Sequence, residues 1–372
     1  MIVNKNVRMG KAMWVNDFIV YIMVLFLCLG AIDKLSGNKF GLGQSFTNAF
    51  YTMGSLTLAM VGIVSLAPVI SAILTPIISP VYSLVGADPA AFANTILALD
   101  MGGYALAKEM ALTPDAELFA WVFLGTMMGP TIVFTIPVAL GIIEKEDHPY
   151  FAKGILLGII TVPIGCLAGG LIANLDLMIV LKNLIPTIVL SLFISLGLWK
   201  KTSMMIKGFQ YFAKGIESIA IIGLTAIIIE TLTGFSLIPN MTPIDEGIKI
   251  VGMIVIVLAG AFPFVTFINL VFSKKLKSVG SLLKIDEKAA AGLIASLAHV
   301  IPMLTLLKEM NSRGKVFNVA FAVSGAFVVG GHLGFVAGLQ KEMVFAMVAG
   351  KLISGISALV LAHFVMKKED MY

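Results

Sequence analysis

Ala90–Met110 reads AAFANTILALDMGGYALAKEM, and Ala290–Met310 reads AAGLIASLAHVIPMLTLLKEM. At a constant offset of 200 and without a gap, 8 of the 21 positions are identical, and both copies end in Lys-Glu-Met. Each segment is apolar over roughly a membrane-spanning length of about 20 residues but broken in its middle. The breaks fall at Met101-Gly102-Gly103 and at Val300-Ile301-Pro302. Self-similarity at a fixed spacing marks a repeated unit. The flanks extend it: each segment is followed by a span interrupted at the same place, Gly129-Pro130 or Gly330-Gly331, and preceded by a span ending near Pro68 or Pro263. The stretch after Pro263, Phe267–Lys284, is amphipathic and suits a helix lying in the membrane interface. The repeats cover approximately 48–143 and 247–340.

Composition sets the surroundings of these segments. Hydrophobic residues make up 59% of 372, charged residues 13%, and mean hydropathy is +1.00. A soluble domain carries roughly 25% charge; half of that coats the loops of a chain lying mostly in lipid. The chain reads as an all-α polytopic integral membrane protein. Of the 26 basic residues only Arg8 and Arg313 are arginine, and the lysines are scattered at helix ends. That pattern suits membrane topology rather than nucleic acid. Cys28 and Cys166 are too few for a metal site or disulfide framework. The basic, then apolar, N-terminus lacks a clean cleavage site and reads as the first span.

Spans are expected at 15–33, 48–68, 116–143, 151–173, 178–198, 212–233, 248–268, 316–339 and 343–366. Counting 88–110 and 289–310 as crossings gives the alternative of eleven spanning helices. Charge favours another arrangement. Lys274, Lys275, Lys277, Lys284 and Lys288 precede the second broken segment, and Lys308, Arg313 and Lys315 follow it. Both flanks then belong in the cytoplasm, which a re-entrant hairpin satisfies and a single crossing does not. Arms of about 10 residues reach about 15 Å, half the hydrocarbon core. The expectation is therefore about nine spanning helices plus two re-entrant hairpins, 88–110 and 289–310, within one transporter domain over 1–372. Five crossings lie between the hairpins, so they enter from opposite sides, the inverted-repeat plan of many secondary transporters. The C-terminus falls in the cytoplasm; Lys5, Arg8 and Lys11 fall outside, against the charge rule.

Asp100 stands at the first break, where an ionisable group in lipid is costly and marks function. The first arm directs its carbonyls at the tip, and a carboxylate added to that negative end suits a cation. Gly102 and Gly103 permit unwound backbone and close approach of a ligand. The competing reading makes Asp100 an N-cap of the second arm. His299 holds nearly the same place in the second hairpin and could hydrogen-bond a hydroxyl or relay a proton. His332, in GGHLGF, has glycines around it. Asn94, Ser296 and Ser324 are small polar groups near the breaks, as are Thr95, Thr131 and Thr135; such groups commonly tie helices together. Tyr104 and Phe134 could offer aromatic faces to an ammonium or simply pack. Glu217 is expected to pair with a lysine or face a cavity, Glu230 to lie at the interface, and Lys108-Glu109 and Lys308-Glu309 to be solvated hairpin ends. No cofactor or metal is implied.

The blocks LALDMGGYALAKE, MMGPTIVFTIPVALGIIE, TVPIGCLAGGLIA, GFQYFAKG, RGKVFNVAFAVSGAF and HLGF together resemble the ethanolamine-utilisation transporter family, EutH, in the same order from about 50 to 355. The resemblance implies uptake of ethanolamine across the inner membrane of bacteria that use it as carbon and nitrogen source. It departs at Gly331, where relatives often carry an acidic residue before the histidine; a coupling ion held at that point is thereby put in question. Ethanolamine is a primary amine, protonated at neutral pH as lysine is, which agrees with a midplane cation site. The order of hairpin and interfacial helix is also similar in architecture to the concentrative nucleoside transporters. The competing function is a Na⁺- or H⁺-coupled carrier of another small polar solute such as a nucleoside. An intramembrane protease would need a second carboxylate or a serine–histidine pair that the sequence does not bring together. No GxxxxGK[ST] loop is present for ATP-driven pumping. Assembly into a homo-oligomer is left open by the sequence.

Overall fold

The computed structural model describes residues 2–272, 280 and 283–369, and every regular element among them is helical. The elements are α1 (Ile2–Leu35), α2 (Leu42–Ser83), α3 (Ala90–Ile96), α4 (Gly103–Met110), α5 (Pro114–Ile142), α6 (His148–Ile172) and α7 (Leu177–Thr233). They continue with α8 (Ile244–Phe272), α9 (Glu287–Ala298), α10 (Val300–Leu306), α11 (Ser312–Gly325), α12 (Gly331–Leu339) and α13 (Val344–Glu369). Large apolar side chains are buried in the centre, Trp121, Phe123 and Phe317 among them. Others stand outward, with Phe193 64% and Leu232 79% exposed. Water does not solvate such a rim; lipid does.

Eight of the described helices are long and apolar enough to cross a membrane. The residues expected as a ninth span, 316–339, are instead two half-helices, α11 and α12, separated at Ala326–Gly330. Within α7 the chain leaves helical geometry at Lys201 (φ −141°, ψ 48°). This divides it into two spanning lengths, Leu177–Met205 and Lys207–Thr233. At 1.5 Å per residue α2 is about 63 Å long, twice the hydrocarbon core, so its second half, past Pro68, is additional to one crossing. Half of the expected interfacial helix at 267–284 lies outside the described residues.

The two broken segments fold back on themselves, and a carboxylate ties the ends of each. Asp88 accepts from the N–H of Ala90 at the start of the first arm and of Leu112 beyond the second, both at 2.9 Å. Asp286 does the same for Ala289, at 2.8 Å, and Asn311. These aspartates satisfy backbone donors that a helix end leaves unpaired.

Helix α6, 25 residues and so about 37 Å long, measures where the two bases sit. Beyond its C-terminal end, Asp115 accepts from the Asp176 N–H at 2.7 Å, and Asn183 accepts from Asp88 N–H at 2.6 Å. The first base belongs to that end. At the N-terminal end of α6, Lys315 pairs with Asp147, Ser312 bonds Tyr150 at 3.1 Å, and Lys308 reaches Glu144 at 3.4 Å. The second base belongs there. The hairpins therefore start from opposite ends of the bundle and point inward. Lys308 and Glu309 are paired at the surface, the latter with Lys288 at 2.7 Å, rather than merely solvated.

Candidate functional site

The first tip is a self-contained turn. Helix α3 ends at Ile96, Leu99–Met101 form one 3₁₀ turn, and Gly102 takes φ +92° before α4 begins. Met101 and Gly103 N–H groups both donate to the Ala98 carbonyl. Gly102 is required twice over, since its φ disfavours other residues and a Cβ there would lie 2.3 Å from Ile63 Cγ2. Asp100 does not cap α4: the N-cap is Gly102, and no side chain bonds the helix start. Its partly exposed carboxylate forms no ion pair or hydrogen bond with another side chain among the described residues. Asn94 is buried between Gly103 and Gly125, at either of which a Cβ would fall within 2.4 Å of its Nδ2. Its Oδ1 has no partner.

The second tip is completed by another part of the chain. Helix α9 ends at Ala298, leaving the carbonyls of Ser296 and Leu297 free. The stretch between α11 and α12 supplies the donors, Phe327 N–H to Ser296 and Val329 N–H to Leu297, each at 3.0 Å. The Val323 carbonyl freed by the end of α11 accepts from the Thr131 hydroxyl at 3.2 Å. The α11–α12 break thus satisfies the second tip, and α5 satisfies the break, as backbone at membrane depth must be satisfied. Gly330 lies hard against this tip, where a Cβ would meet the Ala298 oxygen at 2.1 Å; Gly129 lies likewise against Leu97 oxygen of the first tip, at 2.0 Å. In the first half, however, Gly129-Pro130 does not break the helix as the sequence suggests. Helix α5 continues through it, with π-helical turns at Phe119–Leu124 and Thr131–Thr135 absorbing the misfit.

His299 caps α10, its Nδ1 accepting from Ile301 N–H at 3.2 Å. In the neutral ring Nε2 then carries the proton and is the free donor. The His299 ring meets Phe327 at 4.9 Å and Phe134 at 6.0 Å between centroids, and Phe327 meets His332 at 4.9 Å. His332 is buried with Nδ1 unpartnered. Phe134 also stands with Met101 in the wall of a cavity of about 750 Å³ that continues along Glu217, Lys214 and Lys207 of α7. Phe134 is the ring common to both tips.

Phe134, His299 and His332 are therefore gathered, with Asp100, Gly102 and Gly103 at the neighbouring turn. Three other residues are occupied elsewhere. Tyr104 is edge-on to Trp121 and Phe335, at 5.2 and 5.6 Å. Ser324 accepts from the Ser354 hydroxyl at 2.7 Å, tying α11 to α13. The Ser296 hydroxyl bonds back to the Leu293 carbonyl. Glu217 does face a cavity, and Glu230 accepts from Ser236 in an exposed turn.

Sequence reasoning missed Lys351. It is wholly buried in α13, and its Nζ donates to the Thr126 carbonyl at 2.5 Å. That carbonyl is free because residue 130, its usual helical partner, is proline and has no N–H. The signal was available, since a lone lysine in AMVAGKLISG meets the same criterion that singled out Asp100.

An unpaired carboxylate, a ring cluster and an imidazole N–H suit a small cation carrying a hydrogen-bonding group. Residues 15–365 match the family described as ethanolamine utilisation protein, EutH. The chain is 58% identical to the probable ethanolamine permease EutH of Listeria monocytogenes, covering 96% of each, and 43% identical to that of Escherichia coli, covering 96% of this chain and 97% of the relative. It is 60% identical to the uncharacterized protein YxeR of Bacillus subtilis, over 93% and 94%. No solved structure matches. With a match along nearly its whole length, this multi-pass membrane protein belongs to the EutH family.

Proposed function

We propose that the protein is a permease carrying ethanolamine through the bacterial cytoplasmic membrane, not an enzyme, and that it binds the substrate as its ammonium. The observation that carries the ammonium reading is the Asp100 carboxylate, unpaired at a helix break in the interior. An ammonium leaving water needs a fixed negative partner, and among the described residues no lysine or arginine is paired with this one. The rings of Phe134 and Phe327 supply faces that favour a cation, and His299 Nε2–H supplies a donor for the hydroxyl oxygen. The relatives' printed names, probable ethanolamine permease, support the substrate.

In this reading residues 1–372 form one transport domain, with repeats at about 48–143 and 247–340 in opposite orientation. The hairpins are re-entrant, the C-terminus is cytoplasmic, and the cavity along α7 is the cytoplasmic half of the path. The position of the two bases at opposite ends of α6 supports it. Purified protein in liposomes should take up labelled ethanolamine saturably. Accumulation above equilibrium under an imposed Na⁺ or H⁺ gradient identifies a coupled carrier, equilibration a facilitator, and no saturable uptake overturns the proposal. Choline, which has lost its N–H donors and gained volume, should compete poorly. Equal competition would replace the single-carboxylate site with an aromatic cage that senses charge alone.

A further inference from the structure

The cavity beside the first tip holds a second carboxylate that the site as described does not use. Among the described residues Glu217 is the only acidic side chain in its wall, and it forms no ion pair or side-chain hydrogen bond there. Two tight crossings fix its depth. A Cβ on Gly62 of α2 would meet the carbonyl oxygen of Ala220, one turn beyond Glu217, at 1.9 Å. The next residue of α2, Ile63, lies against the tip itself, 2.3 Å from a Cβ on Gly102. Ala220, Gly62, Ile63 and Gly102 therefore form one layer, and Ile216 and Met101 pack against the same apolar cluster. Helix length agrees. Glu217 stands ten residues beyond Lys207 in the spanning stretch Lys207–Thr233, about 15 Å or half the hydrocarbon core. An unpaired carboxylate at that depth is costly unless a ligand uses it.

The charges along the wall come in order. Lys207, Lys214 and Glu217 share one face of α7 and line the cavity, so two ammonium groups stand between Glu217 and the mouth. At the other end the wall is Met101 and Phe134 of the tip region. A cation leaving the tip on this side meets apolar surface and then two like charges. A carboxylate between them removes that barrier. Side chains three apart on a helix have Cβ atoms about 5–6 Å from each other, so the flexible stem of Lys214 can also carry its ammonium to Glu217. We infer that Glu217 is a second substrate-binding residue, holding ethanolammonium between the tip and the lysines, and that Lys214 is the tethered cation competing for it. This rests on the ammonium reading above and on the cavity being part of the path.

Equilibrium binding of labelled ethanolamine to the purified protein at low ionic strength counts the sites on each chain. The parent should bind at two, one tight and one weaker by about tenfold or more, because the second faces an open cavity where solvent screens the charge. Glu217→Gln should lose the weaker site and Asp100→Asn the tighter. Lys214→Gln removes the competitor and should tighten the weaker site by about threefold to fivefold, the worth of one partly solvated ion pair. Saturation of the parent at one ligand per chain overturns the inference and leaves the functional proposal standing, whether or not the variants fold. A second site that persists in Glu217→Gln also overturns it, and a weaker site that fails to tighten in Lys214→Gln overturns the competition. Absence of binding by the parent overturns both the inference and the functional proposal.

Discussion

The two hairpins share a base and differ at the tip. In each, one aspartate accepts from the start of the first arm and from the residue beyond the second, Asp88 at one end of the bundle and Asp286 at the other. In each, a glycine from later in the chain, Gly129 or Gly330, presses on a carbonyl of the tip. At the tips the resemblance stops. The first closes on its own backbone and leaves the Asp100 carboxylate free; the second spends the His299 side chain as a helix cap and borrows backbone donors from the α11–α12 break. A side chain engaged in holding the backbone is architecture. The unengaged one at the corresponding place is the better candidate for a ligand. The half with an intact α5 carries the free carboxylate and Phe134, and the half with the broken helix supplies Phe327 and both imidazoles.

The comparison breaks most completely if the bases are not on opposite sides. In a background without native cysteine, Lys284→Cys and Ser312→Cys should react with an impermeant thiol reagent from one face of the membrane only. Leu84→Cys and Leu112→Cys, at the exposed ends of the first hairpin, should react from the other face only. Labelling of any pair from both sides would end the re-entrant reading. Next in size is the difference between the tips. Asp100→Asn should fold and insert, yet lose about 3–5 kcal/mol of ethanolamine binding, a few hundred-fold or more. His299→Gln should cost about tenfold, the worth of one hydrogen bond. Near-equal losses would erase the distinction between a free and an engaged side chain.

Smaller effects test the shared parts. Gly129→Ala and Gly330→Ala place a Cβ about 2 Å from a tip carbonyl and should each destabilise by about 1–3 kcal/mol, read as a lower melting temperature in detergent. Asp88→Asn and Asp286→Asn keep one acceptor and should each cost about 1–2 kcal/mol, leaving the affinity of the folded protein unchanged. A change in affinity would make the bases part of the site. Gly331→Ala should shift stability by less than about 0.5 kcal/mol, because no atom stands within 4 Å of its Cβ position. That open space would also admit the acidic side chain that relatives often carry there.

Much of this was legible in the chain. The apolar runs, the constant offset of 200, the paired Lys-Glu-Met endings and the lysines on both flanks of 289–310 were enough to expect a hairpin there. Asp100 stood out because charge in an apolar run is expensive. The capping reading of Asp100 and the true cap at His299 were not separable, since both residue types cap and only backbone geometry distinguishes them. Gly129-Pro130 and Gly330-Gly331 looked equivalent, yet one is bridged by π-turns and the other opens into a break. Whether a helix survives a Gly-Pro step depends on what its orphaned carbonyl finds, and Thr126 finds Lys351 from a helix 225 residues away.

By itself, then, the sequence determined the solvent, the helical class and the places where helices are weak. Those follow from transfer free energies and backbone chemistry that each residue carries wherever it sits. Only the tertiary structure decided what each weak place became. A freed N–H or C=O at membrane depth has to be met by a partner, and for Ser296, Leu297, Val323 and Thr126 that partner comes from a distant segment. The first tip alone closes on itself. That is why its one carboxylate is left over.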